Sequence, residues 1–178
     1  MNNKRILIAF WTIVRGEIRR FMRVWIQTLL PSVITAALYY IIFGKFIGSQ
    51  IAPINGFSYL QFIAPGLVML SVITGAYMNT VSSFYFAKFI KNLEEIIVAP
   101  VPYPIVIAGF ITGGVVRGVL VGVLVLIVAL FFTSITVHSV GIIILFLLLT
   151  AILFSIAGLI NAIFAKGFDS ISIFPTFV

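Results

Sequence analysis

The sequence predicts an all-α polytopic membrane protein, and three observations carry that prediction. Apolar residues make up 62% of the chain and charged residues only 8%, with a mean hydropathy of +1.29. A soluble domain is about 45–50% apolar, and a fold of 178 residues has too little interior to hide the excess. The apolar residues form continuous runs, not the alternating pattern of a membrane β-barrel. Four runs reach the about 20 residues that a helix needs to cross a bilayer: 25–44, 59–86, 105–132 and 141–164. A fifth run begins near Ile171 and stops at Val178, so the chain is expected to hold four spans and the start of a fifth, and to be incomplete at its C-terminus.

The first 24 residues precede these spans and have a different character. Six of the eleven Lys and Arg residues fall here: Lys4, Arg5, Arg15, Arg19, Arg20 and Arg23. Arg15, Arg19 and Arg23 recur every four residues with Thr12 in line, and Leu7, Phe10, Val14, Ile18, Phe21 and Trp25 form an opposing apolar stripe. A helix divided in this way lies in the membrane interface, apolar side to the acyl chains and arginines to the headgroups. The region is therefore read as a cytoplasmic interfacial helix over 1–24, in preference to a topogenic tail. Its basic part and its apolar run are both too long for a cleavable signal peptide. This charge placement points to anionic lipid and argues against nucleic acid, despite the net charge of +7.

Orientation follows from the loop charges. With the N-terminus inside, Lys4, Arg5, Arg15, Arg19, Arg20, Arg23, Lys88, Lys91 and Lys166 share one side and Lys45 alone occupies the other. That asymmetry places the N-terminus and the loop at 87–104 in the cytoplasm. The outer loop at 45–58 reads as turns around Gly48, Pro53 and Gly56. The outer loop at 133–140 carries the only histidine, His138, which has no Cys or acidic neighbour and is given no role.

The loop reads KFIKNLEEIIVAPVPYP and holds two of the chain's four acidic residues, Glu94 and Glu95. Asn92 followed by Glu95 has the spacing of a capping box, and the acid pair falls where negative charge favours a helix N-terminus. Pro100 biases Ala99 out of helical geometry, and Pro102 and Pro104 keep the chain extended. The expected product is a two-turn helix with Leu93, Ile96 and Ile97 along one face. Two readings stand on physical grounds: the face rests on the bilayer, or it docks with the acid pair into a groove on a separate protein.

Within the spans, Arg117 is the one charge, about 18 Å from the start of its helix. A mid-membrane arginine faces protein or water; it either lines a translocation route or bonds neighbouring helices. Around it, Gly109, Gly113, Gly114, Gly118 and Gly122 include pairs spaced by four, which let helix backbones approach closely, within one protomer or between two. Pro31 and Pro65-Gly66 predict kinks.

No phosphate-binding loop is present: Gly44-Lys45 is followed by Phe46. With no Cys, metal cluster or nucleophile motif, the chain is expected to be non-catalytic and to need no cofactor. No predicted span contains Asp or Glu, which counts against a proton-coupled secondary transporter. A non-transporting scaffold would leave the acidic helix unexplained.

The stretch AKFIKNLEEIIVAPVPYP resembles the first cytoplasmic loop of ABC-2 type transport permeases, and YLQFIAPGLVMLSV, GGVVRGVLVG and AGLINAIFAKGFDSISIFPTFV are similar to that family in the same order. The resemblance covers essentially the whole chain. It implies the ABC-2, or type V exporter, permease fold with six spans, pairing into a dimer, and an ATP-hydrolysing subunit beneath each copy. It further implies that Asn92, Leu93, Glu94, Glu95, Ile96, Ile97, Val98, Ala99 and Pro100 form the coupling helix that touches that ATPase. The basic N-terminal helix corresponds to the family's connecting helix. A family member would continue past Val178 through the rest of a fifth span, re-entrant helices and a sixth. The implied function is export of a lipid, polysaccharide or drug-like substrate, which the spans do not identify.

Overall fold

A computed structural model of the chain describes residues 3–48, 50–54, 56–134 and 139–171. His138 and the expected fifth span beyond Ile171 lie outside the described residues. Apart from one isolated bridge between Ile54 and Phe57, every described element is helical: α1 (Asn3–Arg23), α2 (Trp25–Thr28), α3 (Leu30–Ile41, continued by a π-helical turn Ile42–Ile47), α4 (Tyr59–Phe89), α5 (Asn92–Val98), α6 (Tyr103–Phe132) and α7 (Val140–Phe164). Four segments are long and apolar enough to cross a bilayer: Trp25–Gly44, Tyr59–Phe89, Tyr103–Phe132 and Val140–Phe164.

The exposure pattern is that of a protein dissolved in lipid. Along α7, Ile142, Ile144, Phe146, Leu149 and Leu153 are all exposed, and the buried positions are Ala151, Ser155, Gly158, Leu159 and Ala162. Large apolar groups outside and small residues inside invert the soluble pattern, because between lipid-bathed helices it is close packing that rewards contact.

Helix α4 is the central post, packed against both α6 and α7. The α4–α6 seam is built on glycine. A Cβ on Gly118 would lie 2.7 Å from Ala76 Cβ and 3.0 Å from the Val72 carbonyl, and one on Gly122 would overlap Val72. Gly75 of α4 sits against Gly118 in return. Two other members of the stripe, Gly109 and Gly113, serve α1: added Cβ atoms would meet Ile13 and Glu17, each at 2.6 Å. Thus four of the five glycines divide between two seams within one chain, and the fifth, Gly114, meets both α4 and α7.

The first span is broken where proline removes a donor. Pro31 stands in the first turn of α3, where its missing N–H is tolerated, and the chain leaves ideal helical geometry at Val24 (φ −116°, ψ 34°) and Leu29 (φ −104°). Thr28 Oγ1 lies 3.2 Å from the Phe21 carbonyl, an acceptor near the open end of α1, and 3.1 Å from the Val24 carbonyl, which also accepts from the backbone N–H groups of Gln27 and Thr28. Pro65 lies inside α4, which continues through it as one helix. Beside it, Tyr40 Oη donates to the Ala64 carbonyl at 3.4 Å, and its ring stacks on Phe132.

The start of α4 is a capping box that the sequence reading passed over. Ser58 Oγ accepts from Gln61 N–H at 3.3 Å, and Gln61 Oε1 accepts from Ser58 N–H at 2.9 Å. Gln61 Nε2 also donates to the Ser134 carbonyl at 2.9 Å, tying the first turn of α4 to the α6–α7 connection. Ser58→Ala is expected to lower stability by about 1 kcal/mol, read as a lower unfolding midpoint of the purified protein in detergent.

Candidate functional site

The described geometry concentrates polar chemistry in two places: the short helix α5 and a buried cluster where α1 meets α4 and α6.

Helix α5 departs from the expected capping box. Its N-cap is Lys91, held in the left-handed region (φ 60°, ψ 8°) with no side-chain cap, and Asn92 is the first helical residue. The reversal at Lys91 follows from a tight link: Lys91 N–H bonds the Lys88 carbonyl at 3.2 Å, closing α4, and the Lys91 carbonyl accepts from Glu94 N–H at 3.1 Å, opening α5. With the chain turning there, Asn92 lies too far into the helix to cap it. Glu94 and Glu95 occupy the first turn, favourably placed for the helix dipole. The end matches expectation, since Ala99 is extended (ψ 145°) ahead of Pro100.

Two of the three residues expected along the apolar side of α5 are covered by the bundle. Leu93 and Ile96 are half-buried and pack on a core that includes Phe84, Val106 and Phe110. The outward surface consists of Asn92, Glu94, Glu95 and Val98, the last 85% exposed. Ala99 is half-buried and Pro100 exposed, while the side chain of Ile97 is not among those described. The bundle anchors α5 by one face and leaves the acid pair facing out.

Helix α1 also turns differently from expectation. Val14 and Phe21, assigned to an acyl-chain face, are each only 2% exposed, and Ile13 and Glu17 rest on the flat glycine surface of α6. An apolar stripe does not distinguish lipid from protein as its cover, and here the glycines make protein the better fit. Leu7, Ile8, Trp11 and Trp25 remain exposed, as do Arg15, Arg19 and Arg23.

Glu17, which sequence reasoning missed, is the centre of the second place. It is 7% exposed, with Oε1 accepting from Ser83 Oγ at 2.5 Å and Oε2 3.1 Å from Arg20 Nη2. The same Nη2 donates to Asn79 Oδ1 at 3.1 Å and to the Asn79 carbonyl at 3.3 Å. One signal was visible in the sequence: Asn79 and Ser83, spaced by four in the polar stretch Asn79, Thr80, Ser82, Ser83 of the second span, face a Glu and an Arg spaced by three on α1.

Arg117 sits in the middle of α6, half-buried, and donates through Nη2 to the Thr28 carbonyl at 3.2 Å. That carbonyl ends α2, where the break before Pro31 leaves it open to a donor from outside the helix. At the opposite end of α4, Lys88 Nζ donates to the Ile163 carbonyl at 2.9 Å and to that of Ala165 at 3.3 Å, placing a cation at the C-terminus of α7.

A bundle of four membrane-length helices with lipid-type exposure, preceded by a basic helix and interrupted by a short acidic one, defines a polytopic membrane protein. A family model described as ABC-2 type transporter matches residues 8–178. Over 171 residues the chain is 58% identical to the inner membrane transport permease YadH of Escherichia coli strain K12, an alignment that takes in 96% of this chain and 67% of the relative. The same figures hold for YadH of Escherichia coli O157:H7 and of Shigella flexneri. No solved structure matches the chain. The chain belongs to the ABC-2 type transporter family and is a transport permease, the membrane subunit of a transporter. Membership implies an ABC ATPase as partner.

Proposed function

We propose that the chain is the membrane subunit of an ATP-driven exporter and that a separate cytoplasmic ATPase docks on α5 and the two residues that follow it (92–100) of each copy in a dimer. The observation that carries this reading is the outward presentation of Glu94 and Glu95 on a helix whose apolar face is already fastened to the bundle. A stub anchored in this way passes a push to the spans, while its exposed carboxylates set register with a cationic partner surface. The asymmetry of loop Lys and Arg supports a cytoplasmic position for α5 and the N-terminus. The exposed arginines and Trp11 of α1 suit an anionic headgroup layer. Export, and a lipid, polysaccharide or drug-like substrate, are carried by family likeness alone.

Glu94→Lys combined with Glu95→Lys tests the docking. The double variant is expected to insert in the membrane at normal levels but to lose co-purification of the ATPase and its coupled turnover at least tenfold, consistent with like-charge juxtaposition costing several kcal/mol. Unchanged co-purification together with unchanged turnover would refute the assignment.

A further inference from the structure

We infer that the groove between α3 and α4 receives an uncharged sugar unit of the transported substrate; this names a substrate class within the exporter reading above and rests on it. The groove has a volume of about 320 Å³, at the lower end of the range for small-molecule sites. Ser32, Thr35 and Tyr39 line it from α3, and Ser71 and Thr74 face them from α4. It stands open because α3 packs mainly on α6 and only lightly on α4.

Hydroxyls at this depth need a partner. Thr35 and Thr74 stand at the midpoints of their spans, Trp25–Gly44 and Tyr59–Phe89, about 15 and 22 Å from the ends. Two of the five hydroxyls are settled within their own helix: Ser71 Oγ donates to the Leu67 carbonyl and Thr74 Oγ1 to that of Leu70, each at 2.9 Å. Their oxygens remain able to accept. The three on α3 have no hydrogen-bond partner among the described residues. Ser32 would ordinarily turn back to the Thr28 carbonyl, four residues earlier, but Arg117 donates there. The Tyr39 hydroxyl is too far from its own backbone to do the same, and the residue is 40% exposed. A tyrosine bathed in lipid belongs at the membrane interface, where its hydroxyl meets water. Left facing acyl chains at mid-span, these groups would pay for desolvation with nothing in return.

The lining also says what kind of partner fits. No charged side chain is among the described residues of the groove, so a phosphate or ammonium group would find no counter-charge. An acyl chain would satisfy none of the hydroxyls. A sugar ring carries groups that both donate and accept around its edge and C–H groups on its faces. The hydroxyls of Ser32, Thr35 and Tyr39 match the edge, and Leu67 and Leu70 between the α4 hydroxyls match the faces.

Native mass spectrometry of the intact permease tests this in a polyoxyethylene detergent, which brings no sugar of its own. The probes are monoglucosyl-dioleoylglycerol, dioleoylglycerol, dioleoyl-phosphatidylglycerol and maltotriose. The glucolipid is expected to be retained at least tenfold better than the other two lipids. Retention of maltotriose as well would assign the site to a soluble glycan, and retention of the glucolipid alone to a lipid-linked sugar; both uphold the sugar site. Thr35→Val combined with Tyr39→Phe keeps the shape of the groove and removes two unpaired hydroxyls. It is expected to lower sugar retention about tenfold and to leave the unfolding midpoint unchanged. Equal retention of the three lipids, preference for phosphatidylglycerol, or undiminished retention by the double variant would each overturn the assignment. So would near-complete disulfide pairing of Thr35→Cys between copies, since the chain has no native cysteine and such pairing would make a second copy the occupant. No ATPase enters these measurements, so their failure leaves docking on α5 standing, and failure of that docking leaves them readable.

Discussion

Gly114→Leu is expected to abolish recovery of folded protein, and Gly114→Ala to lower its stability by about 1–3 kcal/mol. An added Cβ at this position would overlap Thr80 Oγ1, come within 2.5 Å of Ser155 Oγ and lie 3.0 Å from the Ala76 carbonyl oxygen. The two hydroxyls could rotate aside, but the carbonyl belongs to the backbone of α4 and yields only if the helix moves. Three helices meet at this point, since Gly114 is on α6, Thr80 on α4 and Ser155 on α7. Gly141 provides the internal control, because a Cβ there meets nothing within 4 Å. Gly141→Ala should be neutral in the same assay, the yield of monodisperse protein and its unfolding midpoint in detergent. Equal behaviour of the two alanine variants would show that the α4–α6–α7 contact is looser than described.

Arg20→Met is expected to be more damaging than Glu17→Gln. Removing the arginine leaves a carboxylate that is 7% exposed with only Ser83 to bond it, a situation that costs about 3–5 kcal/mol in buried pairs. Removing the Glu17 charge leaves Arg20, whose side chain is 38% exposed and still bonded to Asn79, so water and headgroups relieve much of the loss. The double variant Glu17→Gln/Arg20→Met should recover a large part of the deficit, because no unpaired charge remains. A double-mutant cycle on unfolding free energies reads the coupling directly; strict additivity of the two changes would mean that the pair does not act as a unit.

How much of this was legible depended on which physical rule spoke. The spans were readable because a bilayer imposes a minimum apolar length: the run expected over 105–132 is α6 at Tyr103–Phe132, and that over 141–164 is α7 at Val140–Phe164. Pattern matches that depend on backbone geometry fared unevenly. Asn92 and Glu95 have capping spacing, yet the left-handed turn at Lys91 moves the cap one residue back; Ser58 and Gln61 have the same kind of spacing and form the real box. Glu17 stayed hidden because a Glu three residues before an Arg on a basic helix reads as an exposed pair. Only its partners on α4, sixty-odd positions away in the chain, make it a buried one. Side-chain pairing across helices is a tertiary fact, and a single sequence records it faintly.

The lysine at the foot of α4 gives the acidic stub a second mooring. Lys88 lies three residues ahead of the left-handed link and holds the tail of α7 by two carbonyls, while Pro100 and Pro102 lead stiffly into α6. A load applied at residues 92–98 is therefore divided among three long helices from the outset, one by covalent bond, one by proline strut and one by an ammonium rivet. Cutting the rivet alone would leave a lever still attached but able to swing without carrying α7 along.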